Sequence, residues 1–175
     1  MAEKKKFIDV KLPILATTVQ LFAAKQEDLI GRVVKLDLTK FLKGKGAEAK
    51  FLIVKQEDKI FGDIFSFEMY PSYIKRLIGH NTSIVEDSFI VKTQDSCLRI
   101  KPFLITRKKV YRSVRNALRK GAREFIEKIS QDKTKEKIFQ ATMSGILQKQ
   151  LSRKLKKIYP LAVCELRVVK VEKTK

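Results

Sequence analysis

Apolar and polar positions alternate over much of the first hundred residues, and the period lengthens to that of a helix after residue 106. The run Phe7-Ile8-Asp9-Val10, behind a basic triplet and ending at Pro13, predicts a short first strand. Residues 14–30 carry no clear period, because 17–24 is apolar without alternation and Gln26-Glu27-Asp28 is a polar break. They are expected to form an irregular connection with a single helical turn. From Gly31 the pattern is that of a strand, with Val33, Val34, Leu36 and Leu38, followed by a loop at Lys43-Gly44-Lys45-Gly46. Residues 50–55 and 60–67 are two strand-like runs separated by Gln56-Glu57-Asp58-Lys59, which predicts a hairpin. Pro71 opens a short helix that Gly79 stops. A second hairpin is predicted from residues 83–92 and 97–105 around Gln94-Asp95-Ser96.

Residues 107–129 read as a helix. At roughly 100° per residue Val110, Val114, Leu118, Phe125 and Ile129 share one side, and Lys108, Arg112, Arg115, Arg119 and Arg123 the other. After Gln131-Asp132-Lys133-Thr134 a second helical stripe runs over residues 135–157, from Ile138 and Phe139 through Met143, Leu147 and Leu151 to Leu155. Gly145 interrupts it at a cost of about 1 kcal/mol relative to Ala, and Pro160 ends it. Residues 161–171 read as a last strand, with Val163, Glu165, Arg167, Val169 and Val171 on one face and Cys164, Leu166 and Val168 on the other. The expected fold class is α+β: an antiparallel, barrel-like β-sheet with two long C-terminal helices packed on it and a closing strand. Residues 1–175 are expected to form one domain, mainly β over 1–106 and helical over 107–158.

Charge changes this picture from a fold to a partner. The chain has 39 Lys and Arg against 19 Asp and Glu, a formal net charge of +20. A surface so cationic strains its own compact state and attracts polyanions. The excess is concentrated in residues 107–123, which contain Arg107, Lys108, Lys109, Arg112, Arg115, Arg119, Lys120 and Arg123 and no acid. Like charges one turn apart cost roughly 0.2–0.5 kcal/mol per pair on a free helix, so the ridge makes physical sense against a nucleic acid backbone. Lysine and arginine contact phosphates without reading sequence, and the planar fork of Arg suits bidentate contact. Lys4, Lys5 and Lys6 at the N-terminus and Arg153 and Lys154 at the end of the second helix are candidate contacts of the same kind. Arg153 and Lys154, with Lys156 and Lys157, also suit the negative end of the helix dipole, which is a full alternative to RNA contact there. No aromatic pair sits in a base-stacking motif, so stacking on splayed bases is not indicated.

Catalytic and metal readings find little material. Asp63 and Glu68 lie near each other but lack the third acid of a Mg²⁺-dependent nuclease. His80, the only histidine, follows Gly79 in a turn, and with Cys97 and Cys164 it cannot complete a four-ligand zinc site within one chain. The two cysteines read as reduced thiols of a cytosolic protein. Gly44-Lys45-Gly46 lacks the context of a phosphate loop. No signal peptide and no run of roughly 18 apolar residues is present. The chain is therefore expected to be soluble and cytoplasmic, with no cofactor, metal, membrane or small-molecule substrate and no enzymatic activity. A free-standing RNA-binding or RNA-processing factor is the alternative on charge alone.

Several stretches resemble the small-subunit ribosomal protein family shared by archaea and eukaryotes, labelled S-one-e or S-three-A-e. They are Gly31-Arg32-Val33-Val34 with Asp37-Leu38, Val91-Lys92-Thr93 with Asp95 and Leu98-Arg99-Ile100, Thr106-Arg107-Lys108, and Ile158-Tyr159-Pro160-Leu161 leading into Glu165-Leu166-Arg167-Val168-Val169-Lys170-Val171. Each is short, but their order and separations span residues 5–172, in a chain similar to the short archaeal-type version. The resemblance implies a β-rich domain with packed helices on the platform of the small subunit, near the mRNA exit. It implies binding to the 3′ region of the ribosomal RNA, neighbouring small-subunit proteins as partners with mRNA nearby, and a role in subunit assembly and translation. The chain departs from the family at Phe7, where Trp or Tyr is usual, and at Gly79-His80-Asn81, where relatives carry several arginines; that turn is left out of the candidate site.

Overall fold

The computed structural model describes residues 5–56 and 59–172. Strands β1 (Lys6–Leu12) and β2 (Thr17–Ala23) pair antiparallel, Phe7 opposite Phe22 and Leu12 opposite Thr17. Where the sequence predicts an irregular connection, the chain makes the second arm of a hairpin. Its turn holds Ala16 in the left-handed region at φ +51°, a conformation usually signalled by Gly or Asn. A second antiparallel run joins β3 (Val33–Asp37), β4 (Ala47–Gln56) and β5 (Lys59–Met69). The polar loop expected at Glu57 and Asp58 lies outside the described residues.

Helix α1 (Pro71–Leu77) leads to β6 (Ile84–Glu86) and β7 (Phe89–Lys92), both paired with β8 (Cys97–Thr106). The single strand predicted over 83–92 is broken at Asp87 and Ser88, where the Asp87 carboxylate accepts the Ser88 N–H at 2.9 Å. Helix α2 (Arg112–Gln131) follows. The second long helix of the sequence reading is two shorter ones, α3 (Lys135–Met143) and α4 (Ile146–Leu155). Gly145 divides them at φ +73°, with nothing within 4 Å of where a Cβ would stand, so backbone conformation and not crowding selects glycine. Strand β9 (Leu161–Glu172) returns to the sheet between β5 and β8.

Among the described residues nine strands run β2-β1-β5-β9-β8-β6, with β4 beside β5, β3 beside β4 and β7 beside β8. One pairing is parallel, β1 with β5 at Lys11 and Phe61. Among the described residues the ladder does not return on itself, so the sheet is open where a barrel-like one was expected. The faces expected for β9 change partway along. Lys101 pairs with Val168 but Pro102 with Leu166, leaving Arg167 as an extra residue, and Leu166 and Val169 are both buried. Proline has no N–H for the ladder, which is why the bulge sits beside Pro102. The main core joins Phe51, Phe67, Leu98, Ile100 and Phe103 of the sheet to Leu118, Ala122 and Ile126 of α2, Phe139 of α3 and Leu151 and Leu155 of α4. Val10, Ala23, Leu29 and Ile53 make a smaller cluster near the first hairpin.

Candidate nucleic-acid interface

The acid-free stretch begins on a pinned connection. Thr106, fully buried at the end of β8, accepts the Ser83 N–H at 3.0 Å and donates its hydroxyl to the Lys108 carbonyl at 2.7 Å. The Ser83 hydroxyl oxygen accepts the Val110 N–H at 3.1 Å, and the Arg107 N–H reaches the Pro160 carbonyl at 3.4 Å. Residues 107–110 are thereby tied to the start of β6 and the approach to β9, while the side chains of Arg107, Lys108 and Lys109 stay exposed. Ser83 and Thr106 are structural supports of this stretch that periodicity alone does not single out. The signal available for one of them is Thr106 ahead of Arg107-Lys108.

Helix α2 then starts with no side-chain cap at Tyr111 and no acid in its first turn. Instead Arg112 occupies its first position. A cation there opposes the helix dipole by about 0.3–1 kcal/mol, and the unbonded N–H groups of the first turn face the same way. Arg107, Lys108, Lys109 and Arg112 are all exposed and form no ion pair with a described residue. This end of α2 is a concentrated positive site held on a rigid base.

Further along, the ridge is less uniform than its sequence suggests. The helix buries Leu118, Ala122, Ile126 and Ser130, with Val114, Phe125 and Ile129 packed at the margins. Arg115 lies one and two turns before Leu118 and Ala122, on the docked side. It is half-buried, and its Nε is buried without a hydrogen-bond partner. Arg119 remains exposed but donates Nε to the Glu86 carbonyl at 2.9 Å and Nη1 to Asn116 at 3.2 Å. Arg123 donates Nη2 to both oxygens of Asp87, at 3.0 and 3.2 Å, and lies 5.2 Å over the Phe89 ring. Arg119 and Arg123 therefore fasten α2 to β6 and β7, while Lys120 is exposed with no such tie.

Of the outlying cations, Arg153 and Lys154 are exposed in the last turn of α4. Lys154 Nζ stands 5.2 Å over the Phe125 ring of α2, so this pair is drawn against the same helix. Gly121 permits that approach: a Cβ there would stand 3.1 Å from Ile158 Cδ1 and 3.2 Å from Leu155 Cδ2. Lys5 and Lys6 are exposed beside the β1–β2 hairpin, at the opposite end of the strand order from β6. Lys4 lies outside the described residues.

The family model described as the ribosomal S3Ae family matches residues 1–175, the full length of the sequence. The chain belongs to the ribosomal S3Ae family. Among its relatives, a Nanoarchaeum equitans protein named small ribosomal subunit protein eS1 is 28% identical, over 91% of this chain and 89% of its own length. Proteins of the same name from Saccharolobus islandicus and Halorubrum lacusprofundi are 30% and 26% identical, each over 97% of this chain and over 85% and 83% of their own lengths.

In this S3Ae-family fold one of the three groups weighed for catalytic chemistry is held in an ion pair. Asp63 accepts a hydrogen bond from Lys135 Nζ at 2.5 Å, joining β5 to the start of α3. Glu68 pairs across the ladder with Glu48, which is itself 3.4 Å from Lys50. His80 is exposed. Among the described residues no three His, Cys, Asp or Glu side chains are grouped to hold a metal, and no helix is long and apolar enough to cross a membrane. Burial, with the adjacent Glu165 charge, pushes the Cys164 thiol up to about 12. At about pH 8 only roughly one molecule in 10⁴ then carries the nucleophilic thiolate. Iodoacetamide is expected to leave Cys164 unmodified in the native protein and to alkylate it after denaturation. Cys164 is only half-buried, so equal labelling of both states in a mass spectrum would show that the fold does not suppress its thiolate.

Proposed function

We propose that the chain is a structural, non-enzymatic constituent of the small ribosomal subunit in the cytoplasm, working as one domain that binds ribosomal RNA. In this reading the phosphate backbone lies against Arg107, Lys108, Lys109 and Arg112, with Arg119, Lys120 and Arg123 extending the contact along α2 and Arg153 and Lys154 flanking it. Arg115, half-buried on the docked side, lies behind this surface, and Lys4, Lys5 and Lys6 form a separate contact. The RNA is the 3′ region on the subunit platform near the mRNA exit, with other small-subunit proteins as neighbours. The observation that carries the RNA reading is the uncapped, acid-free start of α2, where three exposed cations on a connection pinned by Thr106 and Ser83 lead into a fourth, Arg112, at the first helical position. That arrangement costs stability in the isolated chain and gains it when an anion is present.

The test is sedimentation of a tagged chain from extract of an archaeal host. Co-migration with small subunits that persists at moderate salt, with crosslinks from the start of α2 to nucleotides of the 3′ region, is the expected result. A free monomer without RNA would overturn the reading.

A further inference from the structure

We propose that Tyr111, a lone ring outside the paired aromatic motifs whose absence argued against base stacking, is nonetheless a stacking platform for an unpaired RNA base, which makes the start of α2 a site for single-stranded RNA and not only a phosphate clamp. The inference rests on the RNA reading above and deepens it by naming the form of the RNA. Tyr111 is 85% exposed, more than any other exposed large hydrophobic side chain among the described residues, although an aromatic ring gains by being covered. It does not serve the helix it precedes, since its side chain provides no cap. Its position is fixed by its neighbours: the Val110 N–H is bound to Ser83, and the Tyr111 carbonyl accepts the Arg115 N–H at 3.2 Å. The ring is thus an exposed aromatic face on rigid backbone, with Lys109 before it and Arg112 after it.

Those surroundings distinguish RNA from a protein partner. Exposed apolar surface alone would fit either, but the stretch around the ring has cations at 107, 108, 109, 112 and 115 and no acid through residue 123. A single strand combines a phosphate backbone for the cations with bases whose faces stack on any aromatic ring. A duplex hides those faces, so it engages the cations alone.

The test compares the full chain with Tyr111→Ala, Tyr111→Phe and Tyr111→Trp, on a mixed-sequence single-stranded oligoribonucleotide and on a blunt RNA duplex. Tyr111→Ala is expected to weaken single-strand binding by roughly 5- to 100-fold without changing its salt dependence, since no charge is removed. Duplex binding is expected to stay unchanged, and Tyr111→Phe to bind as the parent does. The chain has no tryptophan, so the indole fluorescence of Tyr111→Trp reports on this site alone and is expected to be quenched by the single strand. If Tyr111→Ala binds the single strand as the parent does, or loses both RNAs equally, stacking is overturned while the phosphate reading stands. Failure of the parent chain to bind either RNA overturns both.

Discussion

Replacing Arg107, Lys108, Lys109 and Arg112 together by Gln is expected to weaken RNA binding by about 10²–10³-fold near 0.1 M salt and to flatten its salt dependence by roughly three in the log–log slope. Each phosphate contact contributes about 0.7–0.9 to that slope, so four lost contacts account for the change. These side chains make no ion pair with a described residue and Arg112 sits at the positive end of its own helix. Removing their charge therefore takes nothing from the fold, and melting temperature should stay level or rise slightly. The paired variant Arg119→Gln and Arg123→Gln is the control. Those arginines hold the Glu86 carbonyl and the Asp87 carboxylate, so their loss should affect binding less and stability more. Anisotropy titrations over a salt series with thermal melts decide the matter. An unchanged slope in the fourfold variant would mean that RNA does not meet this end of α2.

The difference between the two sets of cations shows what a single chain leaves unsaid. The basic stretch, its missing acids and its helical period are all local, and they predict α2 to within a turn at its C-terminal end. They start it five residues early, since Thr106 and Ser83 hold residues 107–110 in a non-helical connection. The partners of Arg119 and Arg123 lie 33 and 36 residues away, in a strand break that the pattern over 83–92 does not show. The docked face was misplaced for a related reason. Ala122 and Ser130 are buried because small side chains let the helix approach its neighbours, yet neither stands out by hydropathy, and leaving them out of the stripe turned Arg115 outward. Strands with one well-buried face, such as β4 and β8, are legible. Strand β2 is not, because only Ala23 in it is buried and its turn is made by Ala16. The split between α3 and α4 was visible as Gly145, since no other residue type takes that backbone conformation so readily.

Leu118→Ala is expected to destabilise the protein by about 2–5 kcal/mol. Leu118 is fully buried in the cluster that joins α2 to the sheet and to α4. Truncating it removes apolar burial and leaves a cavity that only part of the surroundings can fill. In a domain of this length that corresponds to a fall in melting temperature of roughly 5–15 °C. The cations are untouched, so RNA affinity and its salt slope, measured well below the transition, should match those of the parent. A melting temperature within two or three degrees of the parent would contradict docking through this residue. Weakened binding by the folded variant would point to a different conclusion, that the geometry at the start of α2 depends on how tightly the middle of the helix is held. The Thr106 and Ser83 hydrogen bonds argue against that dependence. They anchor the approach to α2 from the strand side, so the cations keep their base even when the helix beyond them is loosened.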